Sequence, residues 1–503
     1  MRLKFFYNYS ARTKNNKNLF LILVLLFFFL FNLSRFDFNY FNLEWYFVEY
    51  AKHINDSSYY FTKEIYRENQ ANTSFYSLLI SSIFNYSLNE ISILRVLRAA
   101  NFLSFIFCIL IFFKYEKDLD YKNKIIFILI VLFSPIFFVY IFRIYPDVLS
   151  FVFAWTAFYL LEKKKLNVAL SIFFTIISFL LKPISIILVP FFVSKIYQIC
   201  KYDLKKTLKF SILYLVCIIF SYLFFFLFYE KSLFSKGYSD IYLNFLFTNS
   251  LFNFFNYIFY IFSLLMPFSI INIFFFDNKK KYLFLFLYFL ASFFLTFLYQ
   301  YNLDFIKNYQ GEMNLGYLSS LKFFNSSIYI FFIFYSALSF FHVVFFQKKH
   351  LKLFFLILFS ILILSILVFR PTQRYLIYVL PFLIYLQILI YRSNKIKFYF
   401  YTYLALVILF LSAINIGQQF YQYNSQRAFK NIYEYIESKN IVQYTDPGVM
   451  FHSYGYKFNK FILNRSYQYK FTVIFCDLNI NSIYKVKINN LTSSGYLCLV
   501  SNN

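Results

Sequence analysis

Long uninterrupted runs of Phe, Leu, Ile and Val, each closed by a charged or Asn-rich stretch, recur along most of the chain. Apolar positions fill these runs on every side and do not alternate or fall on one helical face, which is the pattern of buried or lipid-immersed helices. A bilayer core about 30 Å thick takes roughly 20 apolar residues at 1.5 Å per residue. Scanning for such runs predicts about thirteen membrane helices: residues 18–34, 96–113, 125–142, 147–161, 166–181, 183–199, 210–229, 256–276, 282–300, 326–346, 353–369, 375–391 and 398–416. The expected fold is an all-α polytopic membrane domain over 1–416, followed by a small extracytoplasmic α/β or α+β domain over 417–503. In that tail AFKNIYEYIESKN reads as a helix, and FTVIFCDL, SIYKVKI and GYLCLVS read as short strands.

Between the first and second runs lies a long segment, 35–95, with two stretches, LEWYFVEYAKHI and TSFYSLLISSIF, patterned as interfacial amphipathic helices. The first run has a basic start, as a signal peptide does, but lacks a small-residue cleavage site, so it is expected to be a retained helix.

Composition sharpens this picture. The chain is 61% apolar and 26% aromatic with a mean hydropathy of +0.59, whereas soluble domains are about 45–50% apolar. With 7 Gly and 8 Pro in 503 residues there is little turn chemistry for a soluble β or α/β fold. The wealth of Phe, Tyr, Ile, Asn and Lys resembles AT-rich codon usage, so Phe in place of Leu needs no functional explanation.

A net charge of +27 in a soluble protein would point to nucleic acid; in a membrane protein it reports topology, and no nucleic-acid partner is expected. With the amino terminus in the cytoplasm, every inner segment carries at least three Lys or Arg and no short outer connection more than two, as the positive-inside rule requires. That orientation implies an integral membrane protein with its tail on the extracytoplasmic side. Cys476 and Cys498 in the tail either pair there or stay free, and Cys108, Cys200 and Cys217 lie in or beside apolar runs. No metal-ligand spacing occurs, and a divalent ion as cofactor is left open.

Ionisable residues at helix ends within such a bundle are costly and mark function. On this topology Arg143, Tyr145 and Asp147 in FRIYPD, Lys182 in LKPIS, and Arg370 and Arg374 in FRPTQRY face the same outer side as Asp37, Glu44 and Glu49 of the first loop. Cations so placed hold a phosphate, Arg by a planar fork and Lys as a point charge, and a nearby carboxylate accepts a proton from an attacking hydroxyl. The plain alternatives are cations that snorkel to the interface, Glu44 and Glu49 as the wet face of an interfacial helix, and Asp147 as an N-cap.

The order of these features resembles the GT-C superfamily of membrane glycosyltransferases, and in particular bacterial relatives of protein O-mannosyltransferase and lipid A aminoarabinose transferase. The matching pieces are FDFNYFNLEWYFVEYAKHI, LRVLRAANFLSFI, IYPD, LLKPISIILVPFF and QRYLIYVLPFLIYL, over roughly residues 20–390. The resemblance implies an integral protein of a bacterial inner membrane that transfers a sugar from a polyprenyl-phosphate carrier to a lipid, glycan or protein acceptor on the outer face. It implies Glu44 as the catalytic carboxylate, with Asp37 the competing choice, and Lys182 and Arg374 at the donor phosphate with Arg143 and Arg370 nearby. Asp147, Tyr145 and Glu49 are further candidates. A flippase or polymerase of lipid-linked saccharides is the alternative, although no internal repeat of the transporter kind is visible.

Overall fold

The computed structural model describes residues 21–33, 48, 51, 74–84, 90–161, 165–229, 250–275, 281–301, 327–347, 350–368, 373–393, 398–441, 444–445, 471–476, 480–489 and 494–501. The protein is mostly helical, with a small carboxy-terminal sheet. In chain order the helices are α1 (Leu21–Phe31), α2 (Ser74–Phe84), α3 (Glu90–Tyr115), α4 (Tyr121–Phe133), α5 (Pro135–Tyr140), α6 (Pro146–Leu160) and α7 (Lys165–Leu181). There follow α8 (Val189–Ile199), α9 (Leu204–Tyr229), α10 (Ser250–Ser269), α11 (Lys281–Tyr301), α12 (Ser327–Gln347), α13 (Leu351–Leu367), α14 (Leu380–Ser393) and α15 (Phe398–Ser438). Short 3-10 turns at Pro183–Leu188, Ile270–Phe275 and Gln373–Tyr378 flank α8, α10 and α14.

Helix occupies part of each of the thirteen apolar runs. Among the described residues three segments are long and apolar enough to cross a bilayer unaided: Ile93–Tyr115, Asn253–Asn272 and Ser327–Phe345. Others are shortened where proline or a polar residue interrupts them, at Ser134-Pro135 between α4 and α5 and at Lys182-Pro183 after α7. The membrane character is written on the outside of the bundle as well. Phe286, Phe293 and Phe297 of α11 and Leu213, Val216 and Phe220 of α9 are each more than half exposed, a side-chain set that water does not tolerate over so large an area.

Inside, aromatic rings fill the core. Phe28 of α1 sits among Phe102, Phe133, Phe138 and Phe142, and Phe191 stacks on Phe382 at 3.7 Å between centroids. Lipid tails are as apolar as these rings, so packing and interhelical hydrogen bonds decide the association. α6 and α7 are stitched by a reciprocal pair, Ser150 Oγ donating to Ser178 O and Ser178 Oγ to Ser150 O, both 2.8 Å.

The broken helices have their orphaned carbonyls satisfied by side chains, as a bilayer interior demands. Pro267 inside α10 has no N–H to offer Ser263 O, and Tyr329 of α12 donates to that oxygen instead at 2.8 Å. Asn415 of α15 donates to Phe133 O at the α4/α5 break, 3.0 Å. Asn253 donates to Val368 O at the end of α13, 2.7 Å. Asn272 and Gln387 form a buried two-way amide pair at 3.2 and 2.7 Å.

α15 is one continuous helix of 41 residues, so the boundary expected at 416/417 falls inside it. Its last turns carry Phe429, Ile432 and Ile436 onto the sheet, against Val473, Ile488, Leu497 and Leu499. The sheet runs β1 (Tyr444–Thr445), β2 (Phe471–Cys476), β4 (Ser494–Ser501), β3 (Tyr484–Asn489), with β1 parallel to β2 and the other pairs antiparallel. β2, β3 and β4 coincide with the three strand-like runs of the sequence. Cys476 and Cys498 form a disulfide between β2 and β4, their Cα atoms 6.0 Å apart, so of the two readings left open the paired one holds.

Candidate functional site

Among the described residues, two groups of helix ends and connections gather charged and aromatic side chains. At one end Tyr385 donates to Glu116 Oε1 at 3.1 Å, Arg392 donates to Asp118 O, and Lys352 lies 5.6 Å from the Tyr197 ring. This end collects the start of α4, the α8–α9 turn and the end of α14, all expected to be inner. The other end collects the Tyr140–Pro146 link, the α7 break at Lys182 and the turn at Gln373–Tyr378.

At that second end Pro146 opens α6 after Tyr145, whose extended backbone places it as the N-cap. Asn101 of α3 holds the link from below by donating to Arg143 O. Leu181 ends α7, and Pro183 forces Lys182 into an extended conformation, φ −154° and ψ 105°. These local breaks turn three side chains toward one another. Arg374 lies 5.7 Å from the Tyr145 ring and 5.1 Å from the Tyr375 ring, and its Nη2 donates to the Tyr375 hydroxyl at 3.2 Å. Lys182 Nζ lies 5.7 Å from the other member of this group, the Tyr375 ring. Lys182 is 7% exposed and packs inward, which is not how a snorkelling lysine behaves.

Asp147 is 1% exposed and both its carboxylate oxygens are enclosed without a hydrogen bond. The N-cap reading fails, because Tyr145 holds that position and the Asp147 oxygens bond to no helix N–H. Asp147 interacts electrostatically with Arg374, Tyr140, Tyr375 and Tyr378, yet forms no direct ion pair with Arg374 among the described residues. Arg374 Nε is likewise enclosed without a partner. A buried carboxylate and a partly buried guanidinium with its Nε enclosed, near but not bonded, leave strong acceptors and donors unmet. A ligand that offers a hydroxyl on one side and phosphate oxygens on the other satisfies both.

A small apolar cluster roofs this end: Val48 and Ala51, each fully buried and helical, pack with Tyr76 and Ile80 of α2, Leu94 and Leu97 of α3, Ile144, Tyr145 and Leu181. Val48 and Ala51 of the first-loop segment therefore lie on the same end as Tyr145 and the turn before Lys182. α2 coincides with the second of the two expected interfacial helices. Asp37, Glu44, Glu49 and Arg370 lie outside the described residues. Arg143 is at the same end, near enough to Tyr140 to interact electrostatically.

Sequence reading missed Arg98, which is fully buried in α3 at this end, and Tyr140 and Tyr375, which line the group. Arg98 carried a signal, as one of two arginines, with Arg95, in the largely apolar ISILRVLRAANF. The tyrosines carried none in a chain with 50 of them. Among the described residues no three His, Cys, Asp or Glu side chains gather as a metal-binding set. No protein-family profile, characterised protein or solved structure matches the chain.

Proposed function

We propose that the chain is a glycosyltransferase of the GT-C kind, with thirteen membrane crossings, its amino terminus in the cytoplasm of a bacterial cell and its active site on the extracytoplasmic side. It transfers a sugar from a polyprenyl-phosphate carrier to a lipid, glycan or protein acceptor. The observation that carries this reading is the convergence of Lys182, Asp147 and Arg374, from three separate connections, on one enclosed group with unmet charges.

In the reaction an acceptor hydroxyl oxygen bonds to the anomeric carbon as the bond from that carbon to the phosphate oxygen breaks. The electron pair leaves with the phosphate, whose growing charge Lys182 and Arg374 neutralise from fixed positions. The proton of the hydroxyl passes to a carboxylate, Glu44 or Asp37 of the first loop, with Asp147 holding the hydroxyl in line. Direct displacement inverts the anomeric configuration.

Transfer from a radiolabelled polyprenyl-phosphate sugar by the purified protein tests the reading. Wild type is expected to turn the donor over, and Glu44→Gln, Lys182→Ala and Asp147→Asn each to lower the rate at least about 100-fold, the scale of losing one preorganised charge or base. Movement of the carrier across the bilayer without turnover would identify a flippase and refute the enzyme.

A further inference from the structure

Two cations of the candidate site face one phenol. Arg374 Cζ lies 5.1 Å and Lys182 Nζ 5.7 Å from the centre of the Tyr375 ring. The Lys182 ammonium, on a residue 7% exposed, meets no carboxylate or carbonyl among the described residues. The Tyr375 hydroxyl accepts from Arg374 Nη2 at 3.2 Å, and its own hydrogen goes to no acceptor among the described residues. A phenol is donor and acceptor at once, so the bond from Arg374 leaves that hydrogen for an anion.

Guanidinium geometry decides where such an anion sits. The five N–H donors of Arg374 are fixed in one plane, and a two-pronged grip uses either Nε with Nη2 or Nη1 with Nη2. Both grips include Nη2, the nitrogen that already touches Tyr375. One of its hydrogens serves the phenol and the other the ligand, so a phosphate held by the fork is seated beside the phenol oxygen. The Tyr145 ring at 5.7 Å and the Tyr375 ring at 5.1 Å hold the guanidinium in this orientation, by cation–π contacts that do not need the hydroxyl. Tyr375 is itself fixed by the turn Gln373–Tyr378, whose following residues Leu376, Ile377 and Tyr378 are fully buried.

We propose that Tyr375 is a third ligand of the carrier phosphate, its hydroxyl accepting from Arg374 and donating to a phosphate oxygen that Lys182 and Arg374 hold. The proposal rests on the phosphate reading of this site and not on the transfer step. A neutral hydroxyl between two cations adds a short, strong donor without adding charge. Its bond to the phosphate strengthens as negative charge collects there, so it favours the departing phosphate over the bound donor.

Calorimetric titration of the purified full chain in micelles with farnesyl phosphate and, separately, with farnesol tests it. Tyr375→Phe keeps the ring that both cations face and removes only the hydroxyl. It is expected to weaken farnesyl phosphate about tenfold, the scale of one hydrogen bond to a charged group, and to leave farnesol binding unchanged. In an Arg374→Ala background the same substitution is expected to produce a further loss of similar size, because the phenol reaches the phosphate itself. Wild-type affinity in Tyr375→Phe, with Lys182→Ala and Arg374→Ala both weakened, would overturn the proposal and leave the phosphate reading standing. No further loss in the Arg374→Ala background would also overturn it, reducing Tyr375 to a support for Arg374. Equal affinity of the wild type for farnesyl phosphate and farnesol would sink the proposal and the phosphate reading together.

Discussion

Asp147 concentrates the physics of the candidate site. Its carboxylate is enclosed, adjacent to a guanidinium and unbonded, an arrangement that costs stability until a ligand fills the gap. Asp147→Asn removes the unpaired negative charge while keeping the shape. It is expected to raise the thermal stability of the ligand-free protein by about 1–3 kcal/mol while abolishing transfer; a lower melting temperature would show that the carboxylate is already satisfied. Asp147, Lys182 and Arg374 were legible in the sequence because an ionisable residue bounded by apolar runs is rare. Which of them meet was not legible, since the meeting depends on the backbone turns at Pro146, Pro183 and Gln373. Tyr375 was invisible for a different reason: in a chain this rich in tyrosine nothing marks the one whose ring both cations face.

Among the elements, the breaks are more informative than the regular helices. Pro267 frees Ser263 O, and Tyr329 reaches it from α12. Tyr329→Phe is expected to destabilise the bundle by about 0.5–1.5 kcal/mol, the range for one hydrogen bond in a membrane interior, measured by denaturant titration in micelles. No change would mean that the carbonyl finds another donor. The helices themselves were legible from runs of apolar residues, and β2, β3 and β4 from short β-branched and aromatic stretches. The continuity of α15 was not, because hydropathy falls at Gly417 while helix-forming residues continue through AFKNIYEYIES to the sheet. A scan for apolar runs registers the change of solvent there, not a change of backbone.

At the end of α9 nearest the α8–α9 turn, Asp203 adds a pH-dependent element. Lys206 N donates to its carboxylate at 3.1 Å, and with the Lys206 ammonium this holds the carboxyl below its ordinary value. The cap is thus fully formed above the usual carboxylate range and is lost as pH falls through the lowered value. Hydrogen exchange of the first turn of α9 is expected to accelerate on acidification in wild type but not in Asp203→Asn, which caps without titrating. Equal acceleration in both would remove the cap as its cause.

Across the whole molecule, an apolar helical bundle carries the sheet on the last turns of one helix, α15. The Cys476–Cys498 disulfide, closing a separation of 22 residues, accords with a tail in an oxidising compartment. Reducing it, or Cys476→Ser, is expected to lower the stability of the sheet domain by about 3 kcal/mol, while maleimide labelling of unreduced protein should leave these two thiols unmodified. Labelling of both in intact cells would place the tail in a reducing compartment and reverse the topology. That the first-loop residues Val48 and Ala51 pack beside Tyr145 and Leu181 required the folded structure.

The central claim is that Lys182 and Arg374 together hold a lipid-linked phosphate at the end of the bundle that bears Asp147. Binding of farnesyl phosphate to the purified chain, followed by 31P NMR in wild type, Lys182→Ala and Arg374→Ala, tests it most directly. One saturable site is predicted, weakened by about tenfold or more in each variant, as expected when a charge-assisted phosphate contact is removed. Wild-type affinity in both variants would contradict the account.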